Sequence, residues 1–398
     1  MLYLITWLTD FAAFLLVFTV PRLLAEQEAD AFMLGFIGTL FSAGSVFSNA
    51  ISGKLSDRHG RRIVATTGTM LLFLSICGAT WLQPGHWSYY VSFAAAGGSL
   101  GIIYPSLIAW LGHGRSGKHA SRAFLGFCLA FNLGMISGQL AGGWLFQHWG
   151  SQPALYLAMA LTAVSVGLLS RVRGDSIPQL DVPSADEIAD APNVALSAAF
   201  SRVCWVVNIG GTFSMSIVFY LLPKLLVELN IPADEHGTML AIGRTVVIGT
   251  FVSMHASSFW HHRLSMSLAT QVFGICGLIG LAVSTTLAGL TIGLVSLSIL
   301  LGFNYFSSLY YSNTGSANHR KGTASGIHEA TLALGLTGGS LFGGMAGSYY
   351  GNRAPFFLAA VVISVLAVVQ IVVYRRLVHP LLQQREAEAL AQQATPAS

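Results

Sequence analysis

Charge is what this sequence lacks. Only 9% of its 398 residues are Asp, Glu, Lys or Arg, against about a quarter in soluble domains, which excludes an ordinary water-soluble globule. Cysteine is scarce as well. Cys77, Cys128, Cys204 and Cys276 all fall within apolar runs, so they read as small packing residues and not as a disulfide frame. Ten-residue stretches of alternating polarity, the mark of a membrane barrel, are missing. So are H-E-x-x-H and a G-x-S-x-G with triad partners. The "HHR" at His261–Arg263 has no companion ligands, and "GHGRSGKH" (Gly112–His119) fails as a phosphate cradle because His119 ends it and no strand precedes it. An enzyme is therefore not expected, nor any cofactor or metal. The net charge of +4 implies no nucleic-acid partner.

What is present is apolar length. Hydrophobic residues make up 54% of the chain and the mean hydropathy is +0.65. Runs of about 20 apolar residues match a bilayer core of about 30 Å. Twelve such spans are expected, near residues 2–24, 32–52, 63–83, 87–110, 121–147, 153–170, 197–226, 237–259, 264–285, 288–311, 322–348 and 354–374. In lipid every backbone polar group must be satisfied internally, so the spans are helices. The first lacks a basic leader and is kept as a helix despite the "ADA" at 29–31. The expectation is an all-α membrane protein, multi-pass in a lipid bilayer.

The few charges set its orientation. With both termini cytoplasmic, Lys54, Arg58, Arg61, Arg62, Arg115, Lys118, Arg122, Arg171, Arg173, Arg202, Arg263, Arg320, Lys321, Arg375, Arg376 and Arg385 face inward. Only Arg22, Lys224 and Arg353 face outward. That asymmetry follows the positive-inside rule and suits a bacterial cytoplasmic (inner) membrane. One polar, acidic, Pro-containing stretch, "RGDSIPQLDVPSADEIADAPN" (Arg173–Asn193), interrupts the apolar pattern. It divides the chain into a six-helix bundle at 1–172, a cytoplasmic linker at 173–195, a second six-helix bundle at 196–376 and a tail at 377–398. The chain is expected to be a monomer.

The halves repeat. "LGIIYPS" (Leu100–Ser106) aligns with "LGFNYFS" (Leu301–Ser307) at an offset of 201 residues, pairing Tyr104 with Tyr305. The same offset carries Gly134, Gly138, Gly142, Gly143 and Gly150 onto Gly335, Gly339, Gly343, Gly344 and Gly351. Two pseudo-symmetric six-helix bundles follow, with small-residue faces that let membrane helices approach closely. Between spans two and three lies "GKLSDRHGRR", which resembles the G-x-L-x-D-R-x-G-R-R loop of the major facilitator superfamily. Together with the spans, linker and repeat, this resemblance covers essentially the whole chain. It implies the fold of that superfamily and a secondary transporter working by alternating access. It also implies a cytoplasmic latch built from Gly53, Asp57, Arg58, Gly60, Arg61 and Arg62. "GMISGQLAGG" is similar to the span-five motif of the drug:proton antiporter branch, with Gln139 where that motif has Pro. Where that branch carries a span-four Arg, this chain has Phe93.

Ionisable residues inside the spans are few: Asp10, Arg244 and Glu329, with His255 and His328. A charge at mid-bilayer costs about 3 kcal/mol on insertion scales, so each needs a reason. At offset 201 they fall on Gly211, Ala43 and Cys128, so the charges break the repeat that the glycines obey. Asp10 and Glu329 are candidate proton carriers. Arg244 is a candidate for tuning them, for holding an anionic group, or for a static pair with Glu329. Tyr104, Asn132, Asn208, Asn304, Tyr305, Tyr310 and Tyr311 complete a candidate cavity. The expected function is proton-coupled efflux of a small organic solute. The alternatives are uptake or exchange of an anionic metabolite through Arg244, and a non-transporting receptor or scaffold.

Overall fold

The computed structural model describes residues 1–112, 117–172, 191–316 and 321–394. Within these, some side chains, among them those of Lys54 and Asp57, lie outside the described residues. All of the regular structure described is helical: α1 Leu2–Glu26, α2 Ala31–His59, α3 Arg61–Trp81, α4 Trp87–Gly112, α5 Gly117–Trp149, α6 Ser151–Arg171, α7 Ala191–Tyr220, α8 Leu222–Glu228, α9 Ala233–Ala256, α10 Leu264–Val283, α11 Leu287–Thr314, α12 Lys321–Tyr350, α13 Ala354–Leu377 and α14 His379–Ala394. Eleven of the helices among the described residues are long and apolar enough to cross a membrane. The remaining expected span is α12, whose apolar character is diluted by glycine along its buried face. Hydroxyls inside the spans are satisfied locally. Thr69, Thr80 and Thr162 each donate to the carbonyl four residues back at 2.7–2.8 Å.

Four features differ from the sequence expectation. The seventh span is not one helix: it breaks at Leu221 ahead of Pro223, which has no amide hydrogen to continue the ladder. "GKLSDRHGRR" is not a loop; α2 runs through it to His59, and Gly60 alone turns the chain into α3. Gly60 has φ 89°, a conformation that only glycine adopts cheaply. The tail is helical over α14, and α7 begins at Ala191, inside the expected linker. Residues 173–190 lie outside the described residues.

The halves pack alike. In the first, α1 lies against α5 and α6, and α4 against α2 and α3; in the second, α7 lies against α12 and α13, and α11 against α9 and α10. Across the seam α2 crosses α12 and α5 crosses α9. These crossings rest on missing side chains. A Cβ on Gly35 would stand 2.3 Å from the Ser340 carbonyl oxygen, and one on Gly237 would stand 2.3 Å from that of Gln139. Gly143 and Gly344 face Ala233 and Ala31 in the same way, at 2.6 and 2.9 Å.

Both crossings lie toward the end of the bundle opposite the termini. There Arg22 Nη2 donates to the Ile231 carbonyl at 3.0 Å, the Ala233 amide to Gln147 Oε1 at 2.8 Å, and Ser348 Oγ to Asp30 Oδ2 at 3.1 Å. Phe14 packs on Phe219, Phe18 on His236, and Phe41 and Phe93 on Tyr220. Among the described residues, every hydrogen bond and ring contact between halves lies from mid-depth toward that end.

The structure also refines the repeat. Gly143 and Gly344, paired at offset 201, meet Ala233/Gly237 and Ala31/Gly35, which are paired at 202. Glu28 and Asn230, again 202 apart, both take positive φ (62° and 54°) in matching turns. The first two spans of each half are thus offset by one more residue than the fourth and fifth. The counterparts of Asp10 and Arg244 become Thr212 and Ser42, not Gly211 and Ala43. They remain uncharged.

A separate apolar cluster closes the termini-bearing end of the second half, where Trp260 meets Phe303, Tyr310 and Tyr311. Tyr310 and Tyr311 therefore belong to this packing and not to a central cavity. His262, in the loop before α10, donates its backbone N–H to Tyr311 Oη at 2.6 Å and packs its ring on Phe200. Burial, then the neighbouring His261 and Arg385, hold its imidazole down at about 4. The folded protein thus binds this proton less readily than the unfolded chain, whose histidine titrates near 6.5. Stability from His262 is complete above that value and declines as pH falls toward 4. His262→Gln should flatten the pH dependence of the melting temperature between pH 6.5 and 4, and an unchanged slope would contradict this account.

The glycines make a second prediction. Gly35→Ala or Gly237→Ala should pry the seam apart, raising the labelling of a Ser348→Cys reporter by an impermeant thiol reagent. Gly339→Ala, whose Cβ would lie 2.1 Å from the Phe213 carbonyl inside one half, should instead cost about 1–3 kcal/mol of stability and leave labelling low.

Candidate functional site

Asp10 sits on α1 with 0% exposure. The Tyr104 hydroxyl, from α4, donates to its Oδ1, and its Oδ2 has no partner. Gly134 makes room for it: a Cβ there would lie 2.6 Å from the Asp10 Cβ. Tyr104 is held edge-on between Phe127 and Phe131 of α5. Tyr305, on α11, stacks on Phe251 at 5.8 Å and meets the His328 ring at 5.4 Å. Tyr104 and Tyr305 lie within electrostatic range of each other, of Asp10 and of Glu329. Cys128 lies within range of Glu329.

The arrangement follows from the symmetry. Tyr104 with Tyr305, and Cys128 with Glu329, are repeat partners, and residues near a pseudo-twofold axis meet their own counterparts. The structure therefore puts Asp10 in contact with Tyr104, and Tyr305 and Glu329 within electrostatic range of that tyrosine. Glu329 is half-buried and forms no ion pair; among the described residues the only one is Arg22–Glu26, at 2.8 Å.

Arg244 is elsewhere. It lies on α9 beside a water-sized cavity of about 20 Å³ with Gln139, Met215, Phe219 and Ser298. Its Nη2 is 3.0 Å from Met215 Sδ and its guanidinium carbon is 5.3 Å from the Phe219 ring centre. Gln139 is five residues beyond Gly134 on α5, roughly 7–8 Å along the axis. Two polar centres therefore exist at different depths, and the static Arg244–Glu329 pair is not formed.

The remaining candidates divide by whether their hydrogen bonds are filled. Asn304 accepts from Gln271 Nε2 and donates to the Val207 carbonyl, both at 3.0 Å. It ties three helices together and is a structural residue. Asn208 donates to Thr331 Oγ1 at 3.2 Å, and Thr331 donates to the His328 carbonyl at 2.7 Å. His328 Nδ1 is 2.8 Å from Ser308 Oγ, but its Nε2 has no partner. Asn132 donates to the Cys128 carbonyl at 2.8 Å and leaves its Oδ1 unpartnered. His255 is exposed at the end of α9. In the motif between α2 and α3, Arg62 donates to the Ser170 carbonyl of its own half, Arg58 is exposed, and Arg61 Nη1 has no partner. The side chain of Asp57 lies outside the described residues. Gln139 was legible only as a departure from a motif. Met215, Phe219 and Ser298 carried no signal, being unremarkable members of apolar spans.

Helices packed in two pseudo-symmetric sixes around unneutralised charges define a membrane-transporter architecture. Residues 2–335 match the Major Facilitator Superfamily, and the chain belongs to that family. Zinc Induced Facilitator-Like 1 of Arabidopsis thaliana is 27% identical over 136 residues, covering 33% of this chain and 28% of that protein. A putative metabolite transport protein of Haemophilus influenzae is 26% identical over 140 residues, covering 35% and 34%. The matched stretch is thus about a third of those relatives' length. The crystal structure of a D-xylose-proton symporter has a TM-score of 0.73 at 13% identity over 93% of this chain and 95% of its own. That of the nucleoside transporter NupG has 0.72 at 13% over 94% and 98%. At such identities the likeness establishes the fold.

Asn304→Ala would leave Gln271 and the Val207 carbonyl unpartnered in the core. It should cost about 1–3 kcal/mol, read as a lowered melting temperature, whereas Tyr305→Phe should leave stability within about 0.5 kcal/mol.

Proposed function

We propose that the protein is a secondary active transporter, moving a small organic solute across the membrane by alternating access with a proton as the coupling ion. The observation that carries this reading is a pair of carboxyl groups with no cation on either among the described residues: Asp10, bonded to Tyr104, and Glu329, within electrostatic range of Tyr104 and Tyr305. A carboxylate buried in a low-dielectric interior is costly when ionised, two on facing halves repel, and a proton removes both penalties. Because the pair belongs to both halves, that repulsion acts on the angle between them. Ionised, it resists approach of the termini-bearing ends; protonated, it permits them to close while the glycine seam opens. With positive charge inside, the termini-bearing end is cytoplasmic, the seam is the outer gate, and this structure faces inward. Arg58, Arg61 and Arg62, bound only within their own half or unpartnered, suit a latch that engages in the opposite state. The aromatic, sparsely charged walls of Tyr104, Phe127 and Phe131 suit export of an amphipathic compound.

A second reading is favoured by one observation. Arg244 has no carboxylate partner among the described residues, as expected of a group that holds an anionic solute.

In proteoliposomes, Asp10→Asn and Glu329→Gln should each abolish uphill, gradient-driven transport while sparing solute exchange. The assay is uptake or efflux against a concentration gradient under an imposed pH difference. Full uphill activity in both variants would remove the proton-carrying role.

A further inference from the structure

We propose that His236 is a proton-sensitive catch on the seam: the two halves close there only around an uncharged imidazole, and a proton on the ring holds the seam open. The proposal rests on the alternating-access reading above, but not on Asp10 and Glu329 as proton carriers.

The first observation is the place of the ring. His236 lies in the first turn of α9, in the second half, and packs on Phe18 of α1, in the first, with ring centroids 4.8 Å apart. The next residue is Gly237, where a Cβ would stand 2.3 Å from the Gln139 carbonyl oxygen. Burying the ring and closing the seam are therefore one event. In the closed seam His236 is 0% exposed.

The second observation is what surrounds it. Neither Nδ1 nor Nε2 has a hydrogen-bond partner. A neutral imidazole carries one donor and one acceptor, whereas an imidazolium carries two donors. A charge taken out of water without a partner is far costlier than an unbonded neutral group. Arg22, one turn beyond Phe18 on α1, lies within electrostatic range of the ring and adds like-charge repulsion. Its own Nη1 is buried without a partner.

The other charged groups toward this end do not offset that repulsion. Glu26 is held by Arg22 Nε at 2.8 Å and is largely solvated. Asp234 and Glu235 precede His236 on α9, and at roughly 100° per residue their side chains leave the helix on other faces. On α5, His148 is exposed and bonded to the Trp144 carbonyl. On α8, Lys224 is half-buried, while Glu228 is exposed and accepts from Asn352 at 2.8 Å. The whole of α11, which also packs on α9, contains no Asp, Glu, Lys, Arg or His.

Opening the seam reverses each of these penalties. Water reaches the ring, both nitrogens gain partners, and a histidine in water titrates at about 6.5. A proton taken up in the open form must leave before the seam closes again. By linkage, the ratio of open to closed molecules is flat above that pH and rises by up to about tenfold per pH unit below it. Acid on the side to which the seam opens thus favours the form that faces it.

Distances between spin labels at Gln83→Cys and Thr285→Cys, exposed positions at the seam end of opposite halves, test this in the full-length protein with its native cysteines replaced. Asp10→Asn and Glu329→Gln are built into the background, so that neither carboxyl group responds to pH. Across about pH 8 to 5, the long-distance population should grow, its ratio to the short one rising by up to about tenfold per unit below about pH 6.5. Adding His236→Gln should remove the rise. His236→Lys, charged in water throughout this range, should hold the long distance at every pH. The comparison with His236→Gln stands even where His236→Lys fails to fold. A population that ignores pH in this background, or a rise that survives His236→Gln, overturns the catch. Opening driven by pH without solute flux in proteoliposomes would keep the catch and sink the transport reading; uphill flux with a pH-independent seam would do the reverse.

Discussion

Four glycines hold the two halves of this protein in their observed relation. Inside a bilayer, apolar side chains gain nothing by leaving lipid for protein, so contact between bundles must come from close van der Waals approach. Gly35 with Gly344 and Gly143 with Gly237 provide it, placing backbone against backbone where any Cβ would intrude. Contacts of that kind are nearly all-or-none, since separation by an ångström forfeits much of the attraction. A seam built this way closes fully or parts. The polar links around it, from Arg22 to Ile231 and from Gln147 to Ala233, are few enough to be exchanged for water when it parts.

Symmetry and its violation then sort the remaining residues. The glycine ladders and the turns at Glu28 and Asn230, and at Gly150 and Gly351, recur in both halves because both halves must solve the same packing problem. Asp10, Arg244 and Glu329 meet Thr212, Ser42 and Cys128 instead. Backbone geometry is indifferent to that substitution, since each smaller residue occupies an equivalent helical position. The charges were therefore not required to build either bundle. They answer to something with less symmetry than the scaffold, as a small solute has.

The twelve-span architecture was legible in the sequence because bilayer thickness and backbone satisfaction leave few alternatives for runs of this length. The two-half organisation was legible because Tyr104/Tyr305 and the glycine ladders repeat at a constant spacing. The offset of the first two spans was not, since a one-residue slip between helices leaves no trace in composition and appears only where Gly143 touches Gly237. The break at Leu221 was signalled by Pro223, yet Pro21 sits within an unbroken α1, so proline alone could not decide it. Of the candidate site, the burial of Asp10 within α1 followed from its place in an apolar run. The removal of Arg244 to another depth did not, because rise per residue fixes height only to within several ångströms.

Hydrogen-bond satisfaction makes a finer division than charge does. Asn304, Asn208 and Arg22 are buried and bonded across helices, and their role is to fix those helices in place. Asp10 Oδ2, Asn132 Oδ1, Gln139 Oε1 and His328 Nε2 are buried and unbonded. An orphaned polar atom in a low-dielectric interior is retained by evolution only against a continual energetic penalty, and these four come from helices that surround the space between the halves. His236 belongs with them: it packs on Phe18 at the seam, with neither ring nitrogen bonded. These unsatisfied groups lie at the seam (His236), beside Arg244 (Gln139) and deeper in the bundles (Asp10, Asn132, His328). A resting scaffold has no use for acceptors left open, whereas a carrier that trades partners as it moves needs them.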